Sequence, residues 1–143
     1  QLNEESNQYL VVDYLPEKHQ IFAEMTLSEH ELILYNDVVT RLKLEVFNPD
    51  LVIYLQASAD VQWQRVQKRG VGFENAITLS YLTRLDNKFA DFFHRYHNAP
   101  LLVVNTDGIN IADNEKDFEM LMDYIQKIQV GRHYFNPMYM GLK

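Results

Sequence analysis

The chain contains no cysteine, which excludes disulfides, thiolate zinc sites and a cysteine nucleophile. Glycine and proline are scarce, 5 and 4 residues in 143. No Gly/Ser-rich or Pro-rich linker divides the chain, and collagen-like and low-complexity classes are ruled out. No apolar run approaches the roughly 18 residues of a membrane span. Positive charge is in the minority, with 13 Lys and Arg against 20 Asp and Glu. A net charge of -7 argues against broad electrostatic binding to nucleic acid or an anionic membrane. An anionic ligand remains possible wherever the few cations cluster. No internal repeat is visible, and neither G-x-G-x-x-G, G-x-S-x-G nor the G-x-x-x-x-G-K-[ST] phosphate loop occurs. No histidine pair has the i, i+4 spacing of a metal site, so no metal ligands are expected. What is present is an ordinary folded composition: 47% hydrophobic, 13% aromatic and 23% charged. Such a length supports a single core and hardly two, so residues 1–143 are expected to form one domain. The polar, acidic start is the opposite of a signal or transit peptide, and the expected setting is cytoplasmic.

Three apolar runs read as buried strands: Tyr9 to Val12, Leu51 to Leu55 and Leu101 to Val104. Each is short and free of charge, as strands covered on both faces are. Helical patterns lie between them. Ser28 with Glu31 forms a capping box, and Thr26 with Glu29 offers a second in a shifted register. Leu32, Tyr35, Val38, Val39 and Leu42 follow at helical spacing. Ser58 can cap a helix running to Arg69, which Gly70 is placed to end. A further helix is expected from about Thr78 to Tyr96, with Leu82, Leu85, Phe89, Phe92, Phe93 and Tyr96 as its apolar positions. The last begins at Asp113 or Asn114. Strands alternating with helices predict an α/β fold, a parallel sheet with helical crossovers. Ligands of such sheets sit at the carboxyl ends of the strands. Here those ends are Asp13-Tyr14, Gln56-Ala57-Ser58 and Asn105-Thr106-Asp107.

Several residues there can carry chemistry. Asp13 closes a strand and Lys18 lies about a turn further on. They form either a solvated ion pair, worth roughly 0–1 kcal/mol, or a pair of groups for a polar ligand. Arg65 and Arg69, four apart on one helix face with Lys68 beside them, are the densest cationic cluster of an acidic chain. Arginine forks suit phosphate oxygens, while a basic last turn also complements the helix dipole. Glu74 follows on a Gly-flanked loop, as a surface charge or as a group that orients the arginines. Asn105-Thr106-Asp107-Gly108 is a turn after a strand, or a place where a base meets backbone groups.

The combination resembles the deoxynucleoside kinase family of P-loop kinases. Asp13-Tyr14, Lys18 and Ile21-Phe22-Ala23 resemble the D-Y-x-x-x-K-x-x-I-F-A element of the bacterial purine-preferring branch. Pro49 to Leu55 resembles its P-D-L-V-I-Y-L strand. Arg65, Lys68-Arg69-Gly70, Glu74, Ile77 and Tyr81-Leu82 follow its LID element, and Pro100 to Asp107 resembles the strand leading to the donor-adenine loop. The likeness runs from about Tyr9 to about Asp107. The family's first strand, phosphate loop, first helix and general-base glutamate have no counterpart here. The chain therefore reads as the C-terminal part of such a kinase, expected to be inactive alone. Val71 stands where many members carry a further arginine.

The resemblance implies transfer of the γ-phosphate of ATP, with Mg²⁺, to the 5′-hydroxyl of a deoxynucleoside. Arg65 and Arg69 would be catalytic, holding phosphate oxygens. Asp13, Tyr14, Lys18 and Glu74 would bind substrate, Glu74 through a sugar hydroxyl. Lys68, Asp107, Gly108 and Ile109 would bind ATP, the loop meeting its adenine through backbone groups. Mg²⁺ would be held by phosphates and by residues mostly outside this chain. Pyrimidine-preferring relatives carry an arginine and an acid where Asp13 and Lys18 stand, and the reversed charge order points to a purine. A homodimer is also implied. The rival readings are a non-catalytic nucleotide-binding remnant and a kinase of another small acceptor, such as a nucleoside monophosphate.

Overall fold

A computed structural model of the chain describes residues 10–13, 15–42, 48–70 and 77–137. It forms two compact units, Gln1–Val46 and Phe47–Lys143.

In the first unit, helix α1 (Lys18–Thr26) begins in the turn after Pro16 and buries Ile21 and Ala23. The segment runs polar from Lys18 to Gln20 and apolar from Ile21 to Ala23 without a strong helical stripe, and the sequence reading leaves it unassigned. Thr26 belongs to this helix, its hydroxyl donating to the Phe22 carbonyl at 2.7 Å. That settles the register of the next helix in favour of Ser28. Glu31 accepts from both the Ser28 N–H (2.8 Å) and the Ser28 hydroxyl (2.7 Å) at the start of α2 (Glu29–Leu42). The two donors hold the Glu31 carboxyl below the usual carboxylate range. Leu10, Val11 and Val12 are exposed and form no strand. A β-branched run is only a preference for a pleated, half-buried surface, and these residues pair with no strand among the described residues.

The second unit is built on a three-stranded parallel sheet in the order β1-β2-β3, with β1 at Val52–Gln56, β2 at Leu101–Asn105 and β3 at Arg132–Phe135. Val52 pairs with Leu101 and Gln56 with Asn105, so β1 and β2 end level with each other. Helices α3 (Ala59–Arg69) and α4 (Leu79–Arg95) connect β1 to β2, and α5 (Glu115–Ile125) connects β2 to β3. Strand side chains alternate between faces, and the two faces meet different helices. On one, Leu102, Val104 and Phe135 pack with Ile109 and with Leu121 of α5. On the other, Tyr54 stacks on Phe93 of α4, ring centroids 4.2 Å apart. β2 is buried from Leu101 to Val104 because it lies between two strands and two helix layers. On the α5 face of β1, Ile53 and Leu55 stay exposed.

The parallel α/β architecture agrees with the sequence reading, and so do four of its helices. The third strand differs. Arg132-His133-Tyr134-Phe135 has one fully buried side chain, Phe135, and no apolar run. An edge strand needs only one apolar residue in two, too short a signal in four residues. Its backbone is entered through Gly131 at φ 86°, whose carbonyl accepts from Leu101 N–H at 3.0 Å.

Candidate functional site

β1 and β2 end level, and their carboxyl ends are joined by more than the ladder. The Gln56 carbonyl accepts from Thr106 twice, from its N–H at 2.8 Å and from its hydroxyl at 2.9 Å. Thr106 is the one buried polar side chain among the described residues, 5% exposed. Buried polar groups need partners, and this hydroxyl has them on both sides. Its oxygen also accepts from an Arg65 terminal nitrogen (Nη1) at 3.1 Å, while Nη2 donates to the Thr106 carbonyl at 2.6 Å.

Helix α3 is thus attached to the end of β2 in its middle. It is attached at its start as well. The carboxylate of Asp107 accepts from the N–H of Ser58, the residue preceding α3, at 2.7 Å. Ser58 does not cap through its own hydroxyl as the sequence reading expects. The cap contact is made by a residue from the other strand end. Asn105 in turn accepts from Asp107 N–H at 2.9 Å and shapes the turn. Gln62 donates to the Ala57 carbonyl at 2.6 Å.

Downstream of Arg65, Lys68 and Arg69 occupy the last turn of α3. Gly70 follows in the left-handed region at φ 65°, its N–H reaching the Val66 carbonyl. Both the cationic face and its glycine stop are where the sequence puts them. Two of the five N–H donors of the Arg65 guanidinium are engaged, both by neutral oxygens of Thr106. Its charge is therefore not cancelled by a carboxylate among the described residues. That arrangement fits an anion such as a phosphate.

The opposite sign lies close by. Asp86 of α4 has one carboxylate oxygen buried without a hydrogen-bond partner among the described residues. Burial, and then the negative charge of Asp107, push its pKa up. The Tyr54 hydroxyl is pushed up to about 12 by burial and then by Asp86. Sequence reasoning missed Asp86 and did not single out Thr106. Asp86 lies four residues after Leu82 and three before Phe89, inside the apolar stripe of α4, and an acid at such a position is a readable signal. Nothing in the sequence separates Thr106 from its polar neighbours.

The other expected site residues divide as follows. Asp107 and Gly108 are exposed at the end of β2. The side chain of Ile109 is in the core against Leu121 and Phe135, which leaves its backbone for any ligand contact. Within the first unit, Lys18 and Asp13 approach to 4.0 Å with Asp13 fully exposed, a solvated ion pair of little strength. Tyr14, Val71 and Glu74 lie outside the described residues. Among the described residues, no three His, Asp or Glu side chains gather as metal ligands. These residues do not make a Mg²⁺ cage.

Level strand ends, a cationic helix face held beside them through Arg65 and an exposed turn mark an α/β protein whose candidate site lies at the carboxyl edge of its sheet. The family model for deoxynucleoside kinases matches residues 1–130, and the chain belongs to that family. Deoxyguanosine kinase of Bacillus subtilis (strain 168) is 32% identical over 127 residues, 86% of this chain and 61% of that protein. Deoxyadenosine kinase of Lactobacillus acidophilus is 27% identical over 109 residues, 69% of this chain and 51% of that protein. A deoxyadenosine/deoxycytidine kinase of Bacillus subtilis is 21% identical over 115 residues, 53% of its length. The chain thus spans about half to three-fifths of these relatives.

Proposed function

We propose that the chain is part of a deoxynucleoside kinase that moves the γ-phosphate of ATP to the 5′-hydroxyl of a deoxynucleoside, with purines preferred. The carrying observation is the arginine face of α3 pinned at the level ends of β1 and β2, in a chain matched to the family over residues 1–130. The purine preference is supported by the names of the relatives, which include deoxyguanosine and deoxyadenosine kinases, and by the order of charge at Asp13 and Lys18.

In the transfer, the acceptor hydroxyl releases its proton to water and its oxygen bonds to the γ-phosphorus as the bond to the β-γ bridging oxygen breaks, and ADP leaves. Such transfer rests on positioning and charge stabilisation. Arg65 and Arg69 hold phosphate oxygens and offset the charge that develops on them, with Lys68 adding a further cation. Glu74 binds a sugar hydroxyl. Asp13, Tyr14 and Lys18 face the base or sugar. The turn from Asp107 to Ile109 offers backbone groups to the adenine of ATP. Mg²⁺, when bound with the triphosphate, would supply further charge stabilisation to the phosphates. The proposal includes a homodimer in the cytoplasm, checked by sedimentation and by cell fractionation. Among the described residues, no helix is long and apolar enough to cross a membrane.

The test is transfer of labelled γ-phosphate by the full-length protein, offered deoxyguanosine, deoxyadenosine, deoxycytidine, thymidine and nucleoside monophosphates. Labelled purine deoxynucleoside 5′-monophosphate is the expected product. Labelled diphosphates made from monophosphates alone would contradict the assignment of the acceptor.

A further inference from the structure

We propose that Thr106 is a positioning residue for the phosphate-holding arginine: it fixes the Arg65 guanidinium at the carboxyl end of the sheet, and with it the direction of α3. The inference rests on the kinase reading for the identity of the anion, and on geometry alone for the clamp.

Thr106 holds Arg65 at two points, the hydroxyl to Nη1 at 3.1 Å and the carbonyl to Nη2 at 2.6 Å. A fork gripped twice has its plane set, which a single hydrogen bond does not do. The hydroxyl is not free to turn away. Its proton is directed to the Gln56 carbonyl at 2.9 Å, so an oxygen lone pair is left for Arg65. Thr106 is buried, and its N–H is tied to the Gln56 carbonyl at the end of the β1–β2 ladder. The remaining N–H donors of Arg65, which have no hydrogen bond among the described residues, are then oriented by the same grip for an anion. Asp107 holds the N–H of Ser58 at the other end of the same stretch of helix. Held at Ser58 and at Arg65, α3 cannot swivel on the sheet. Arg69, about 6 Å further along the axis, therefore projects in a fixed direction at the helix end. Burial of a threonine hydroxyl by two such contacts is not needed to pack the core. The neighbouring core cluster of Leu102, Val104, Ile109, Leu121 and Phe135 is apolar throughout.

The experiment uses the full-length protein and reads ATP binding by calorimetry alongside steady-state kinetics. Thr106→Val keeps the volume and the carbonyl and removes the hydroxyl, so Nη1 loses its anchor. It is expected to weaken ATP binding and raise the ATP KM about fivefold. The deoxynucleoside KM should stay within about twofold. Thr106→Ser restores the hydroxyl and should restore both constants. In an Arg65→Ala background, Thr106→Val should add less than about twofold, because the group it positions is gone. Should the valine variant not fold, Thr106→Ala takes its place in the same cycle. Equal effects of the Thr106 change with and without Arg65, or none at all, would overturn the clamp, and so would a parent protein that does not bind ATP. A parent that binds ATP and phosphorylates no deoxynucleoside would refute the kinase reading while the clamp is still decided by the binding cycle.

Discussion

Asp86 keeps one carboxylate oxygen buried without a hydrogen-bond partner among the described residues, and burial and then the charge of Asp107 raise its pKa. Its raised pKa means that the folded chain holds this proton more tightly than the unfolded one. Stability from this group is full below the ordinary value of 3.8 and is lost as pH rises through the raised value. Asp86→Asn cannot ionise. It should match the parent in Tm near pH 4 and exceed it near neutrality by about 2 °C, the response of a domain this size to roughly 0.5 kcal/mol. A variant less stable than the parent near neutrality would show that the charged Asp86 carboxylate has a stabilising partner. Arg69 carries the corresponding prediction for chemistry. Arg69→Ala should lower kcat by about 2.7–4 kcal/mol of transition-state stabilisation, with little change in the deoxynucleoside KM, and Arg69→Lys should recover only part because an ammonium lacks the fork. Steady-state kinetics with ATP and deoxynucleoside varied separately make the check. At this scale the sequence is legible where spacing alone carries the information, as for Arg65, Lys68 and Arg69 on one helix. It is silent on Thr106, whose role depends on a partner 41 positions away.

Helix ends are the elements most plainly written in the chain. Asn114 accepts from the N–H groups of Lys116 and Asp117 at the start of α5, at 3.1 and 3.4 Å. Thr78 accepts from Tyr81 at the start of α4. Asn114→Ala should destabilise the fold by about 1 kcal/mol, read as a lower urea midpoint at unchanged slope. Gly70→Ala meets no atom of the described residues within 4 Å, so the penalty expected is one of conformation, about 1 kcal/mol for an L-residue held at positive φ. A change well above that would mean that the exit from α3 is packed rather than open. Strands are read less evenly. β1 and β2 announce themselves by uninterrupted apolar runs because both lie in a sheet with helices against it. Leu10 to Val12 has the same composition and no paired neighbour among the described residues, and a run of apolar residues does not distinguish the two cases. β3 has the neighbour without the run. Strand formation is decided by pairing over long sequence distances, whereas caps and glycine stops are decided within four residues.

For the whole molecule, the weight of the account falls on a chain that spans 61% of one relative and about half of others. The α/β class and the parallel order are visible in the alternation of apolar runs with amphipathic helices, and that alternation is what directs a search for the site to the strand ends. The reaction is not, because the residues that distinguish a phosphate-holding face from a solvated helix end are the same three cations. The most direct measurement is therefore the acceptor specificity of the full-length protein with ATP, as kcat/KM for each of the four deoxynucleosides under identical conditions. The account predicts 5′-phosphorylation with deoxyguanosine or deoxyadenosine ahead of thymidine and deoxycytidine by at least about tenfold, a difference of roughly 1.4 kcal/mol in transition-state binding. Equal or greater kcat/KM for a pyrimidine, or no transfer to any deoxynucleoside by protein that binds ATP, would contradict it.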